Sequence, residues 1–163
     1  MRLRFGARHG VRVARICVAL AVFLAGPPGF ADDTPPEAAL PAYERCLAEA
    51  KDTACAGVLA AFCLDTVTTL DALTACRGGL AAAVEGRVAE LVQELGGDDP
   101  ALRRAALERV RGAERSVGAN CAAYAARVPQ ADNEHHAARC ALLAAHGKMA
   151  ELFRLRALAE PET

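Results

Sequence analysis

The stretch from Thr68 to Gly97, TTLDALTACRGGLAAAVEGRVAELVQELGG, decides the fold class. Leu80, Val84, Val88, Leu91 and Leu95 follow one another at steps of four, four, three and four, which puts all five on one face of a helix. Thr68 or Thr69 offers an N-cap oxygen, and Gly96-Gly97 stops the run after Leu95. The spacing therefore predicts a long core-facing helix. The interior pair Gly78-Gly79 costs about 1 kcal/mol per residue relative to alanine, so it marks a close helix contact or a bend. It is no phosphate loop, because no strand pattern precedes it and no Gly-Lys-Ser or Gly-Lys-Thr follows.

Working outward, Asp98 or Asp99 can cap a second long helix, with Pro100 at its first position, where a missing N–H is harmless. It is expected to run to about Arg127 and to bury Leu102, Ala106, Val110, Ala113, Val117, Cys121 and Tyr124. Val128-Pro129-Gln130 reads as a turn. Asp132 or Asn133 then caps a third long helix ending near Ala159, whose apolar positions include Ala137, Cys140, Ala144, Phe153 and Leu158. Upstream, two short helices are expected over 38–50 and 54–63, after a flexible leader at 32–37; Glu160 to Thr163 form a tail. Aromatic residues make up only 4% of the chain and tryptophan is absent, which favours helices packed closely through alanine and leucine. The expected fold is all-α, a small disulfide-stapled bundle of antiparallel helical hairpins.

The N-terminus carries Arg2, Arg4, Arg8, Arg12 and Arg15 without an acid, and the apolar run Ile16–Ala25 follows. That is the order of a secretory signal peptide. Small residues at Gly29 and Ala31 place the cut before Asp32, so residues 1–31 are expected to leave and 38–159 to form the domain. Ten apolar residues fall short of the roughly 20 that cross a bilayer, and Cys17 lies at the start of the run, not just after it, as a lipid-modified cysteine would. The mature protein is therefore expected in the periplasm or secreted, with no stable membrane insertion. Losing five arginines leaves 14 basic against 20 acidic side chains, a net charge of −6. Nucleic acid is an unsuitable partner for such a chain, whereas a cationic protein is electrostatically suited. About 130 residues make one domain with one core.

Seven cysteines become six once Cys17 is removed. An even set in an exported chain reads as structural disulfides. Cys121 and Cys140 lie equally far from the Val128-Pro129-Gln130 turn, so an antiparallel hairpin sets them opposite each other. Cys63 and Cys76 flank the Thr68-Thr69 cap in the same manner, which leaves Cys46 for Cys55; Cys46 with Cys63 and Cys55 with Cys76 is the open alternative. Each bond closes a loop worth on the order of 3 kcal/mol in the chain-entropy model. His136 and Cys140 have metal-ligand spacing, and His146 follows, but no Cys-x-x-Cys completes a zinc site. Gly-x-Ser-x-Gly and His-Glu-x-x-His are absent too, so no catalytic, cofactor or metal residues are expected.

From Cys46 onward the cysteine order resembles the LprI-like lysozyme inhibitor family of small exported helical domains. The family's first-helix cysteine pair with its threonine cap is matched by Cys63, Thr68-Thr69 and Cys76. Its later cysteine, and the cysteine, threonine, arginine, leucine pattern that follows, are matched by Cys121 and by Cys140, Ala145, Lys148 and Leu152. Cys46 and Cys55 resemble a subgroup with an extra pair. The chain departs where the family places a glutamate, an aspartate, Leu-Asn and a tyrosine: here stand Leu80, Glu85, Val88-Ala89 and Val92, and only the acid is kept. The family's Gln, Trp and Arg fall on Val110, Ala113 and Val117. The resemblance implies a diverged member that binds a protein, a cationic lysozyme, by occlusion and without chemistry. A structural or assembly protein of the cell envelope is the alternative; an exposed stripe of Leu142, Met149, Leu152, Leu155 and Leu158 on the last helix would favour it.

Overall fold

A computed structural model of the protein describes residues 34–50, 53–127 and 133–159. The expected signal segment 1–31, the expected turn at Val128-Pro129-Gln130, the candidate cap Asp132 and the expected tail 160–163 lie outside these residues. Pro36 opens a single 3-10 turn, Pro36–Ala39, that leads straight into α1 (Leu40–Ala50). Pro36 and Glu37 thus belong to the first helical unit and not to the leader, since the proline ring presets the backbone for a first helical position. A second 3-10 turn, Thr53–Cys55, leads into α2 (Ala56–Thr66), which runs one turn beyond the expected end at Cys63. Thr66 closes it by donating its hydroxyl to the Phe62 carbonyl at 2.8 Å.

Three long helices follow. The Thr69 hydroxyl accepts the Ala72 N–H at 3.2 Å and starts α3 (Leu70–Gly96); Gly97, at φ 37°, ends it in a conformation that favours glycine. Asp99 starts α4 (Pro100–Ala125) by accepting the N–H groups of Ala101 and Leu102 at 2.8 and 3.1 Å. The last helix, α5, spans Asn133–Ala159. All regular structure among the described residues is helical.

Cross-helix contacts give the directions. Arg77 meets His135 and Glu85 meets Lys148, so α3 and α5 run parallel. Cys121 is bonded to Cys140 while Arg109 meets Glu151, so α4 runs antiparallel to α5. Glu44 reaches Arg87 from α1, and Pro36 lies against Gly79, where an added Cβ would come within 2.9 Å of the proline ring. The glycine pair is therefore a close contact at Gly79 alone; Gly78 faces open space. The disulfides are Cys46–Cys55, Cys63–Cys76 and Cys121–Cys140, with Cα separations of 5.7, 5.8 and 5.9 Å. Each ties a helix to its neighbour in sequence.

The core lies between α1, α2, α3 and α5. Tyr43 and Leu47 from α1, Leu59 and Cys63 from α2, and Leu80, Val84, Val88 and Leu91 from α3 pack with Ala145, Met149 and Leu152 of α5. Truncating one of these leucines to alanine costs about 2–5 kcal/mol. Two sequence expectations need correction. On α4 only Ala106 is buried; Leu102, Val110, Ala113, Val117 and Cys121 are half-covered and Tyr124 is 48% exposed. The stripe is real, but α3 and α5 cover only its edge. On α5, Ala137 and Leu158 are exposed and Cys140, Ala144 and Phe153 half-covered, while Leu142, Ala145, His146, Lys148, Met149, Ala150 and Leu152 are buried.

The adjacent glycines give a paired test. Gly78→Ala is expected to raise stability by roughly 0.5–1 kcal/mol, the ordinary helix gain, whereas Gly79→Ala is expected to lower it by displacing Pro36; urea unfolding of the two variants reads the opposite signs.

Candidate functional site

Charge is divided between two halves of the chain. Residues 34–99 carry eleven acidic and four basic side chains, whereas residues 100–159 carry ten basic and five acidic. The near-neutral balance of the whole chain, −1, thus conceals an acidic α1–α3 segment and a basic α4–α5 segment. On the acidic side, Glu44, Glu90 and Glu94 surround Arg87 at 2.8, 3.0 and 2.6 Å, and their combined charge exceeds the one they neutralise. The hydrogen bond from Arg87 holds the Glu94 carboxyl below its usual range.

The basic half contains an open groove of about 840 Å³ between α4 and α5. Its floor is made of small side chains, Gly112, Ala113 and Val117 from α4 and Gly147 and Ala150 from α5. Gly147 marks a close approach of the two helices: a Cβ there would stand 3.3 Å from Val117 and 3.7 Å from Ala113. At one end Arg109 and Arg154 both bond Glu151. At the other end Tyr124 stacks edge-on against His136 with ring centroids 5.1 Å apart, and the Arg139 guanidinium lies 6.0 Å from the Tyr124 ring. Arg139 also borders a smaller hollow of about 200 Å³ that it shares with Arg77 and His146. Arg77 donates to His135 Nε2 at 2.7 Å. Partial burial, and then the charge of Arg139, lower the Arg77 guanidinium from its usual value. Neither arginine has a carboxylate partner among the described residues.

A polar seam joins the three long helices. Lys148, with 11% of its side chain exposed, donates to Glu85 at 2.7 Å and stands 3.5 Å from Glu114, joining α3, α4 and α5. Burial alone would lower its ammonium, but hydrogen bonds and the charges of Glu85 and Glu114 outweigh that and hold it above its usual value. Nearby, the Tyr43 hydroxyl and His146 Nδ1 lie 2.7 Å apart. Burial, helped by Glu44, keeps the Tyr43 hydroxyl protonated well beyond its ordinary range, so it can donate to the neutral imidazole. Burial, and then the charge of Arg154, hold the His146 pKa below its usual value.

The cysteines singled out in the sequence all serve as cross-links. Cys140, bonded to Cys121, is thereby removed from the His136, Cys140 and His146 set weighed for zinc. The reading from the residues did not anticipate the buried polar contacts of Tyr43, His146 and Lys148, although it named His146 beside a metal-ligand spacing and Lys148 within the family pattern. For Lys148 a signal was present, since a lysine stands in the apolar run Leu142, Ala145, Met149, Leu152. Compared with known proteins, the chain matches no family model, no curated protein and no solved structure.

His146 makes stability depend on pH. Its folded pKa lies below the unfolded value of about 6.5, so the unfolded chain takes up the proton first as pH falls. Stability is full above about pH 6.5 and drains away below it. Unfolding by urea between about pH 7.5 and 5.5 is expected to show that slope in the native chain, and a smaller slope in His146→Gln.

Proposed function

We propose that the mature chain is an exported, non-catalytic binding protein that acts by covering its partner, and that the partner is a cationic lysozyme met by the α1–α3 half. The observation that carries this reading is the concentration of acid on that half, eleven acidic against four basic side chains over residues 34–99. A surface of one sign attracts and orients a partner of the other. The cysteine frame of the LprI-like lysozyme inhibitors supports the same reading. So does the meeting of Glu85 and Lys148 at 2.7 Å, because these are the positions where the family places an acid and an arginine. An envelope-assembly role draws little support from α5, whose Leu142, Met149 and Leu152 turn inward and leave Leu158 as its one strongly exposed leucine among the described residues.

Occlusion has a different signature from turnover. Titrating the mature protein against lysozymes of several types in a cell-wall turbidity assay is expected to give a stoichiometric end point. Inhibition should weaken as salt rises, because the Debye length falls from about 10 Å at 0.1 M to about 3 Å at 1 M. Reversing charge with Glu90→Lys and Glu94→Lys together should weaken it further at low salt. No inhibition of any lysozyme at large molar excess would overturn the assignment of the partner.

A further inference from the structure

The α4–α5 groove has an apolar floor, one end closed by the Arg109–Glu151–Arg154 ion pairs, and the other end bordered by Arg139, which has no carboxylate partner among the described residues and shares the adjoining smaller hollow with Arg77. A volume of about 840 Å³ lies in the range of small-molecule sites, roughly 300–1,000 Å³, which combine apolar walls with a few placed polar groups. From Ala105 to Tyr124 the α4 wall is about 28 Å long at 1.5 Å per residue. The charges at the Glu151 end are engaged in ion pairs, whereas Arg139 at the other end has no carboxylate partner among the described residues. An occupant must be apolar over most of its length and negative at the end near Arg139.

We propose that this groove binds a fatty-acid-like amphiphile, its alkyl chain lying over Gly112, Val117 and Gly147 and its carboxylate held by Arg139, with Arg77 behind it. Arg139 is suited to the head, since a guanidinium presents paired donors that match the two oxygens of a carboxylate. Arg77 adds a second positive charge, and its contact with His135 keeps it on the same side of the bundle. The N-termini of α3 and α5 lie side by side at this end, because the helices run parallel, and their partial positive charges add to the field at the head. The tail has only to displace water from small side chains. An amphipathic helix is the less fitting occupant, because it has no use for a cationic pair confined to one end. The inference does not depend on the lysozyme reading, which rests on the acidic side chains of α1–α3 and not on the groove.

The test uses dodecanoate below its micelle concentration, titrated into the mature, disulfide-intact protein by calorimetry, with dodecyltrimethylammonium as a chain of equal length and opposite charge. Dodecanoate is expected to bind one to one and the cationic chain to bind much more weakly. Arg139→Glu, an exposed position, should weaken dodecanoate at least about tenfold by setting a like charge against the head. Gly112→Leu projects an isobutyl group into the groove from a position where an added Cβ meets nothing within 4 Å. It should abolish binding while leaving the melting temperature no lower than that of the native chain. Equal binding of both chains, no binding of dodecanoate, or dodecanoate binding unchanged in a folded Gly112→Leu would each overturn the proposal.

Discussion

The seam between α3 and α5 sets the rest of the molecule. These two helices are separated in sequence by the whole of α4, and no disulfide joins them. They are held by Leu80, Val84, Val88 and Leu91 facing Ala145, Met149 and Leu152, and by Lys148 reaching Glu85. Packing two parallel helices forces α4 to serve as the return between them. It lies along one side of the seam, where its small residues permit the close crossing at Gly147. The α1–α2 unit covers the seam elsewhere and brings Tyr43 to His146. Buried apolar area drives the association, but the polar contacts fix the register, since a shift along α5 would leave a nearly buried ammonium without its carboxylate.

The same geometry explains why α4 differs from its neighbours. A helix serving only as a return packs along one edge, and its wide apolar stripe is then half open to solvent. The side chains on that open face are small, which limits the exposed apolar area and leaves a furrow where larger residues would have made a sticky patch. Charge divides along the chain: α1–α3 are acidic, and α4 and α5, which border the furrow, are basic.

How far the fold could be read in the sequence varies with how local each cause is. The α3 stripe, the Thr69 and Asp99 caps and the Gly97 stop were legible because each depends on a few neighbouring residues. The Cys121–Cys140 pairing followed from its symmetry about a turn. For Cys46, Cys55, Cys63 and Cys76 two connectivities remained open, because helical spacing alone does not exclude the longer loops of the alternative; the structure has the local pairing, with separations of 9 and 13 residues. The buried face of α5 was misread because its small residues make a weak periodicity, and Ala137, Ala144 and Leu158 look as apolar as the residues that turn inward. The groove was not legible at all. It depends on what fails to cover α4, and an uncovered face is a property of the whole assembly.

A double-mutant cycle on Glu85 and Lys148 tests the α3–α5 register most directly. Urea unfolding of Glu85→Gln, Lys148→Met and the double variant is expected to give a coupling of at least about 0.5 kcal/mol, as befits a half-buried ion pair in contact. Additivity within about 0.3 kcal/mol, the behaviour of distant sites, would contradict the seam and the groove that depends on it.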